Sequence, residues 1–425
     1  MSTIIDALRR LFVAEVAPVS KRGIHWSAST NHPTVLAFWL RELSDMGIHW
    51  VKLLDDSRGS SVGCCVALVE AGFEPIVRMY RAQPNPGTLD TDALGVVERL
   101  VGVGVRYFET NNEPNLRCEW QDGPWRSWSA QTRVDTAVGA CLLDAEQVLK
   151  RGGLPSFPAL AQCAHTMNDD AIGSIPFYDM AVSRNAEKLR QMFQRGMWLA
   201  VHDATLNHCY EDSTGWHFEY PYDPVNQKDH PGATVLQDDC SLIGHRAALE
   251  FIHRHLGKDV NPAVISTEGG VFMPDNGFQT WDTRYPGYDY NGQAVRTVAM
   301  FEWLEKNAPE VVGMCPWLIA NETMGHDNQA WTNHAWYHKD GPRPVVQAMK
   351  DSTPVTEDEI REWAWNEHGV AYNPDAAFPK FARGHQLGIP MTAEFDIGNV
   401  RAQGFAGGIV YCVIGDWSNI RKLEW

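Results

Sequence analysis

Two glutamates in this sequence stand where a pair of carboxyl groups could act together. Tyr107-Phe108-Glu109-Thr110-Asn111-Asn112-Glu113-Pro114-Asn115 is an apolar run that ends in an Asn-Glu-Pro turn. Ala263-Val264-Ile265-Ser266-Thr267-Glu268-Gly269-Gly270 is a second apolar run ending on a glutamate. One carboxyl group held protonated can donate a proton to a leaving oxygen. A second, held ionised, can attack the carbon that loses it. Cleavage of a glycosidic bond with retained configuration needs that division of labour, with the two groups about 5–5.5 Å apart. Glu113 is the candidate acid/base, with Pro114 fixing its turn and Asn112 offering an amide to a sugar hydroxyl. Glu268 is the candidate nucleophile, and Gly269-Gly270 is expected to leave room for a sugar beside the backbone. A neighbouring Glu268 anion helps keep Glu113 protonated, because like charges resist joint ionisation.

The elements needed to hold such a pair can be read around it. Short apolar runs alternate with segments of helical period, the pattern of a parallel α/β sheet. Eight strands are predicted, at Gly23–Trp26, Trp50–Leu54, Pro75–Tyr80, Arg106–Glu109, Phe157–Cys163, Met197–His202, Ala263–Thr267 and Val311–Trp317. Helices are predicted near Thr34–Ser44, Gln131–Lys150, Asp239–Leu256 and Val295–Asn307. Eight such strands close naturally into a (β/α)8 TIM barrel, with Glu113 after the fourth strand and Glu268 after the seventh. The barrel occupies residues 1–350, a polar linker 351–358, and a small C-terminal module of unassigned role 359–425. In the module, helices are predicted at Glu357–Asn366 and Pro374–Leu387 and a strand at Gly408–Ile414. Its Trp363, Trp365, Tyr411, Trp417 and Trp425 serve either as a carbohydrate platform or as a core.

Composition sets the class. The chain has 425 residues, 44% of them hydrophobic, and a formal charge of −17. That charge argues against nucleic acid or an anionic membrane surface as partner. Seventeen tryptophans suit flat platforms for sugar rings. They gather with other aromatics in the loops after strands four, six, seven and eight, around Trp120, Trp125, Trp128, Tyr210, Trp216, Tyr285 and Trp336. At least half of these are expected to pack the loops down. The nine cysteines show no metal or redox spacing. Met1–Phe12 reads as a short amphipathic helix without the order of a signal peptide, so a cytoplasmic location is the default and secretion stays open.

The pattern resembles clan A of the glycoside hydrolases over roughly residues 20–350, through Asn112-Glu113-Pro114, Glu268 and Trp317. The resemblance implies a retaining β-glycosidase acting on a β-linked oligo- or polysaccharide or glycoside, without metal or cofactor. It also implies that Trp317 floors the catalytic subsite and that Arg78, with His202 or Tyr210, orients the nucleophile. His25 and Trp281 join these as candidate sugar-binding residues. Arg78, inside an apolar strand, needs an anionic partner, and Glu268 suits it. Asp55 reads as a cap or a partner of Arg58, Asn207-His208 as loop packing, and Asn321-Glu322 as a solvated loop. Two other functions remain open: a catalytically inactive barrel that only binds glycans, and a metal-dependent barrel hydrolase drawing on His165, Asp169, Asp170, His202, Asp203 and His208. Oligomeric state is not addressed by the sequence.

Overall fold

The structure, a computed structural model, describes residues 20–26, 33–273, 282–320, 329–338, 340–353, 369–370, 373 and 375–425. It divides into two compact units, Met1–Thr353 and Pro354–Trp425.

In the first unit eight strands follow one another in sequence order as neighbours in a single parallel sheet. They are β1 (Gly23–His25), β2 (Trp50–Asp55), β3 (Glu74–Met79), β4 (Tyr107–Glu109), β5 (Leu154–Phe157), β6 (Trp198–Val201), β7 (Val264–Ser266) and β8 (Val311–Met314). A parallel bridge between Arg22 and Met314 brings β8 back to β1, with Met314 N–H donating to Lys21 O at 2.9 Å. The sheet is therefore a TIM barrel with helices between its strands. Side chains signal where those helices start. Asp90 accepts from Ala93 N–H ahead of Thr91–Gly102, Ser129 from Thr132 N–H ahead of Ala130–Lys150, and Asp289 from Gly292 N–H ahead of Tyr290–Asn307.

Alternation along each strand sorts residues between two cores. Val51, Leu53, Val77, Phe108, Leu199 and Val201 face the helices and belong to the large outer core. Trp50, Ile76, Trp198, Ala200 and Ile265 face inward and pack with Tyr107 at the base of the barrel. Above that apolar floor the same inward rows continue as Lys52, Arg78, Glu109 and His202, all buried. Lys52 is fully buried and pairs with Glu109, whose other oxygen accepts from Thr267 Oγ1 at 2.6 Å. Removing one member strands a charge inside the barrel. Glu109→Ala is therefore expected to lower the unfolding free energy by about 3–5 kcal/mol, measured by denaturant titration.

Several boundaries differ from those predicted. β5 is Leu154–Phe157, not Phe157–Cys163: Leu154 and Pro155 pair with Tyr107 and Phe108, and the apolar residues beyond run on as loop. The helix expected from Asp239 starts at His245, because Asp239 is spent accepting from Ala164 N–H. The helix expected from Val295 starts earlier, at Tyr290.

The second unit is a four-stranded antiparallel sheet of β9 (Phe395–Ile397), β10 (Val400–Phe405), β11 (Gly408–Val413) and β12 (Arg421–Leu423). A helix at Ala377–Gly384 belongs to the same unit, and its core contains Phe378, Ala382, Leu387, Phe405, Val410 and Cys412. Of these strands only β11 was predicted. The linker beyond Thr353, the predicted helix 357–366, Trp363, Trp365 and the N-terminal segment lie outside the described residues.

Candidate active site

The Asn-Glu-Pro turn is held from several sides. Glu113 has a φ of +35°, left-handed territory that costs a residue with a Cβ about 1–3 kcal/mol and persists only where its surroundings impose it. Its N–H donates to Ala159 O at 3.0 Å, and its own carbonyl accepts from Leu116 N–H at 2.8 Å. Trp120 Nε1 donates to Pro114 O at 2.8 Å. Asn115, fully buried, bonds Ala161 and Ile172 in the neighbouring loop. The turn thus sets Glu113 at the mouth of the barrel with its side chain partly exposed.

Glu268 follows β7 by two residues and faces the same space. Arg78 donates to Glu268 Oε1 at 3.0 Å and also bonds Asn112 Oδ1. His202, which follows β6, lies between the carboxyl groups. Its Nδ1 is 2.8 Å from Glu113 Oε1 and its Nε2 is 3.9 Å from Glu268 Oε1. His25, at the end of β1, has Nε2 3.7 Å from Glu268 Oε1, and its ring packs on Trp317 at 4.3 Å between centroids. Six strand ends therefore bring Glu113, Glu268, Asn112, Arg78, His202, His25 and Trp317 together.

The electrostatics separate the roles. Burial alone would raise the pKa of Glu268, but the charges of His202, Arg78 and Lys52 outweigh it and hold the carboxyl below its usual range. Burial works against a charge on His202, yet Glu268 and then Glu113 prevail, and the imidazole keeps its proton to higher pH than a free histidine. Burial, with Lys52, Arg78 and His202, pushes His25 well below the histidine range, so its ring is neutral. Both His25 nitrogens and His202 Nε2 are buried without a hydrogen-bond partner. Such groups are costly to leave unpaired, and hydroxyls of a bound molecule could satisfy them.

Other predicted residues stand elsewhere. Tyr210 lies on a hairpin of Tyr210–Asp212 and Gly215–His217, with its ring stacked on His217 at 4.6 Å and near Tyr285, so the structure does not bring it to the carboxyl pair. Trp281, Asn321 and Glu322 lie outside the described residues. Gly269 and Gly270 leave no gap for a sugar. A Cβ on the first would meet Asp203 O at 2.1 Å and on the second Pro316 at 2.8 Å, so the pair permits close packing of strand ends instead. Asp55 ties down the loop after β2: its oxygens accept from the N–H groups of Arg58, Gly59 and Ser61, ahead of the helix at Val62–Glu70. Asn207 ties its loop to Asp282, and His208 stacks on Tyr220. Most of the loop aromatics are also core. Trp120, Trp125, Phe218, Tyr220, Tyr285, Tyr288 and Trp336 are buried, so they anchor the loops rather than offer open platforms.

The metal candidates disperse. His165 bonds Leu236 O, Asp203 bonds His245 at 2.6 Å, and His208 bonds Cys240 O. Among the described residues one compact group of potential ligands occurs, Asp238, Asp239 and Cys240, none of which was singled out for metal. Asp238 and Asp239 there already accept from Tyr220 Oη and Ala164 N–H.

Three residues of the site were not foreseen. Lys52 and Glu109 sit at inward positions of strands otherwise apolar, and strand alternation alone carries that signal. Glu119 accepts from Asn112 Nδ2 at 2.9 Å, and burial, only partly offset by that bond, raises its pKa. It joins Arg78, Tyr80, Arg81 and Asn112 in lining a small open cleft.

No family model matches the chain, and no curated protein sequence does. Solved structures of similar course include a monomeric β-xylosidase from Caulobacter crescentus CB15. It has 13% identity and a TM-score of 0.47, over 92% of this chain and 73% of that one. Another is a GH39 enzyme from Xanthomonas axonopodis pv. citri, at 11% identity and TM-score 0.47, over 94% and 72% of the two chains. A third is a GH1 β-glucosidase from the fungus Humicola insolens in complex with glucose, at 12% identity and TM-score 0.41, over 79% and 97%. The barrel assignment itself rests on strand order and closure.

Proposed function

We propose that this chain is a clan A glycoside hydrolase that cleaves β-O-glycosidic bonds with retention of configuration. Glu113 protonates the leaving oxygen while Glu268 attacks the anomeric carbon. Glu113, now a carboxylate, then takes a proton from the water that releases the sugar. The observation that carries this reading is His202, one imidazole reaching both carboxyl groups, with Arg78 on Glu268 alone. That asymmetry favours an anion at Glu268 and leaves a proton to be shared between His202 and Glu113.

His25 and Trp317 are assigned to the bound sugar ring, as a neutral hydrogen-bonding group and a flat floor. Arg78 and His202 hold the carboxyl pair, and Asn112 is fixed by Arg78 and Glu119 with an amide hydrogen left for a sugar hydroxyl. The test is hydrolysis of a panel of aryl β-glycosides by wild type, Glu113→Ala and Glu268→Ala, with the first-formed anomer read by NMR. Wild-type activity that is lost in Glu268→Ala and reduced in Glu113→Ala, with a β-anomer first, supports the proposal. Glycan binding without turnover across the panel would favour a binding barrel, and an α-anomer first would replace retention by inversion.

The pH dependence follows from the signs above. Glu268 has a depressed value in the folded state, so its ionised, active form persists below the ordinary glutamate value of about 4.3. The acid limb of kcat/KM is expected under that value. The same depression stabilises the fold above the unfolded-state value, and that stability is lost as pH falls through the folded one. The alkaline limb belongs to the His202–Glu113 pair as a unit. With His202 raised, it is expected above about 6.5, and His202→Phe should move it to lower pH.

A further inference from the structure

Beneath the carboxyl pair lies a buried ion pair to which the proposed reaction assigns no task. Arg78 on β3 and Glu109 on β4 are register partners. Register partners on adjacent strands are about 4.8 Å apart and send their side chains to the same face, here the barrel interior. An arginine beside a glutamate in that setting has an obvious partner. Yet Arg78 binds Asn112 and Glu268 instead. Both oxygens of Glu109 are already occupied, one by Lys52 reaching up from the layer below and one by Thr267 Oγ1.

We propose that Lys52 is a positioning residue for the candidate nucleophile: by engaging Glu109 it leaves Arg78 to Glu268. This rests on the reading of Glu268 as nucleophile. Thr267, which precedes Glu268, adds a second link, since Glu109 also fastens the strand end that carries it. The groups facing Glu268 are His25 from β1, Lys52 from β2, Arg78 from β3, Glu113 and Glu119 from the loop after β4, and His202 from β6. Without Lys52, the carboxyl groups of Glu109, Glu113, Glu119 and Glu268 would compete for Arg78 and His202. Glu268 would then lose both a nearby positive charge and exclusive use of its arginine.

The test reads the ionisation of Glu268 directly, by 13C NMR of protein labelled at the glutamate side-chain carboxyl, with the resonance assigned through Glu268→Gln. Lys52→Met is expected to raise its midpoint by about one pH unit or more, and the acid limb of kcat/KM should rise with it. In Lys52→Met/Glu109→Gln the register partner of Arg78 no longer carries a charge to draw it away, and the midpoint should return most of the way to wild type. A midpoint unmoved in Lys52→Met, or one that stays displaced in the double variant, overturns the proposal. Should Lys52→Met not fold, Lys52→Leu, which neither donates to Glu109 nor carries a charge, is held to the same two outcomes. Because the midpoint is read without substrate, failure of this inference is distinct from failure of the glycosidase reading, which would show as no turnover of any β-glycoside.

Discussion

Glu268→Gly is expected to lower kcat on aryl β-glycosides by on the order of 10⁴-fold or more while leaving the barrel folded. The carboxylate is the attacking atom in the proposed mechanism, and its neighbours Arg78, His202 and His25 cannot replace it. A glycine opens a space beside Arg78 that a small anion can enter. Azide or formate should therefore restore part of the rate, through attack on the same face of the sugar. With azide the product would be the α-glycosyl azide, the inverted configuration, because only one displacement occurs. Circular dichroism and thermal melting separate loss of chemistry from loss of fold. A folded variant without rescue would count against Glu268 as nucleophile.

The second large effect concerns the acid. Glu113→Gln keeps the shape of the side chain and an oxygen for His202, but it has no proton to give. For alkyl glycosides, whose leaving oxygen needs protonation, kcat/KM should fall by about 10²–10⁴-fold. With a dinitrophenyl glycoside, whose leaving group departs unaided, the first step should be nearly unaffected. Loss that is equal for both leaving groups would assign Glu113 a binding role. The alkaline limb should also disappear in Glu113→Gln, since the proton held between His202 and Glu113 is then catalytically silent.

What the sequence made legible was the periodic part of the molecule. Trp50-Val-Lys-Leu-Leu and Val311-Val-Gly-Met are short apolar runs whose place in a parallel barrel follows from their flanks, and so do the two strand ends that carry Glu113 and Glu268. Arg78 could be paired with Glu268 because a charge on an apolar strand requires a partner. The irregular parts were not legible in the same way. A proline inside a run disfavours a strand there, yet Leu154 and Pro155 pair with β4. Gly269-Gly270 read as space for ligand, although Asp203 and Pro316 fill it, because nothing local announces a contact with a distant loop. Tyr210 fell near β6 in sequence, but a hairpin carries it to His217. Lys52 and Glu109 were visible as charges, but their pairing depends on register across strands, which one sequence does not print. Two of the three further strands of the C-terminal unit were missed for a related reason. Phe395–Ile397 and Arg421–Leu423 are exposed throughout and lack the alternation that marks a half-buried strand.

The central claim is that Glu268 forms a covalent bond to the sugar, and the most direct measurement is the mass of the protein after reaction with a 2-deoxy-2-fluoro-β-glycoside bearing a dinitrophenolate leaving group. Fluorine slows both steps and the good leaving group speeds the first, so the intermediate accumulates. The sugar is the one that the aryl-glycoside panel shows to be cleaved. The account predicts a mass increase of one fluorosugar, carried by the peptide containing Glu268 and absent from Glu268→Gly. Turnover of the parent glycoside with no adduct, or with the adduct on another residue, would contradict it.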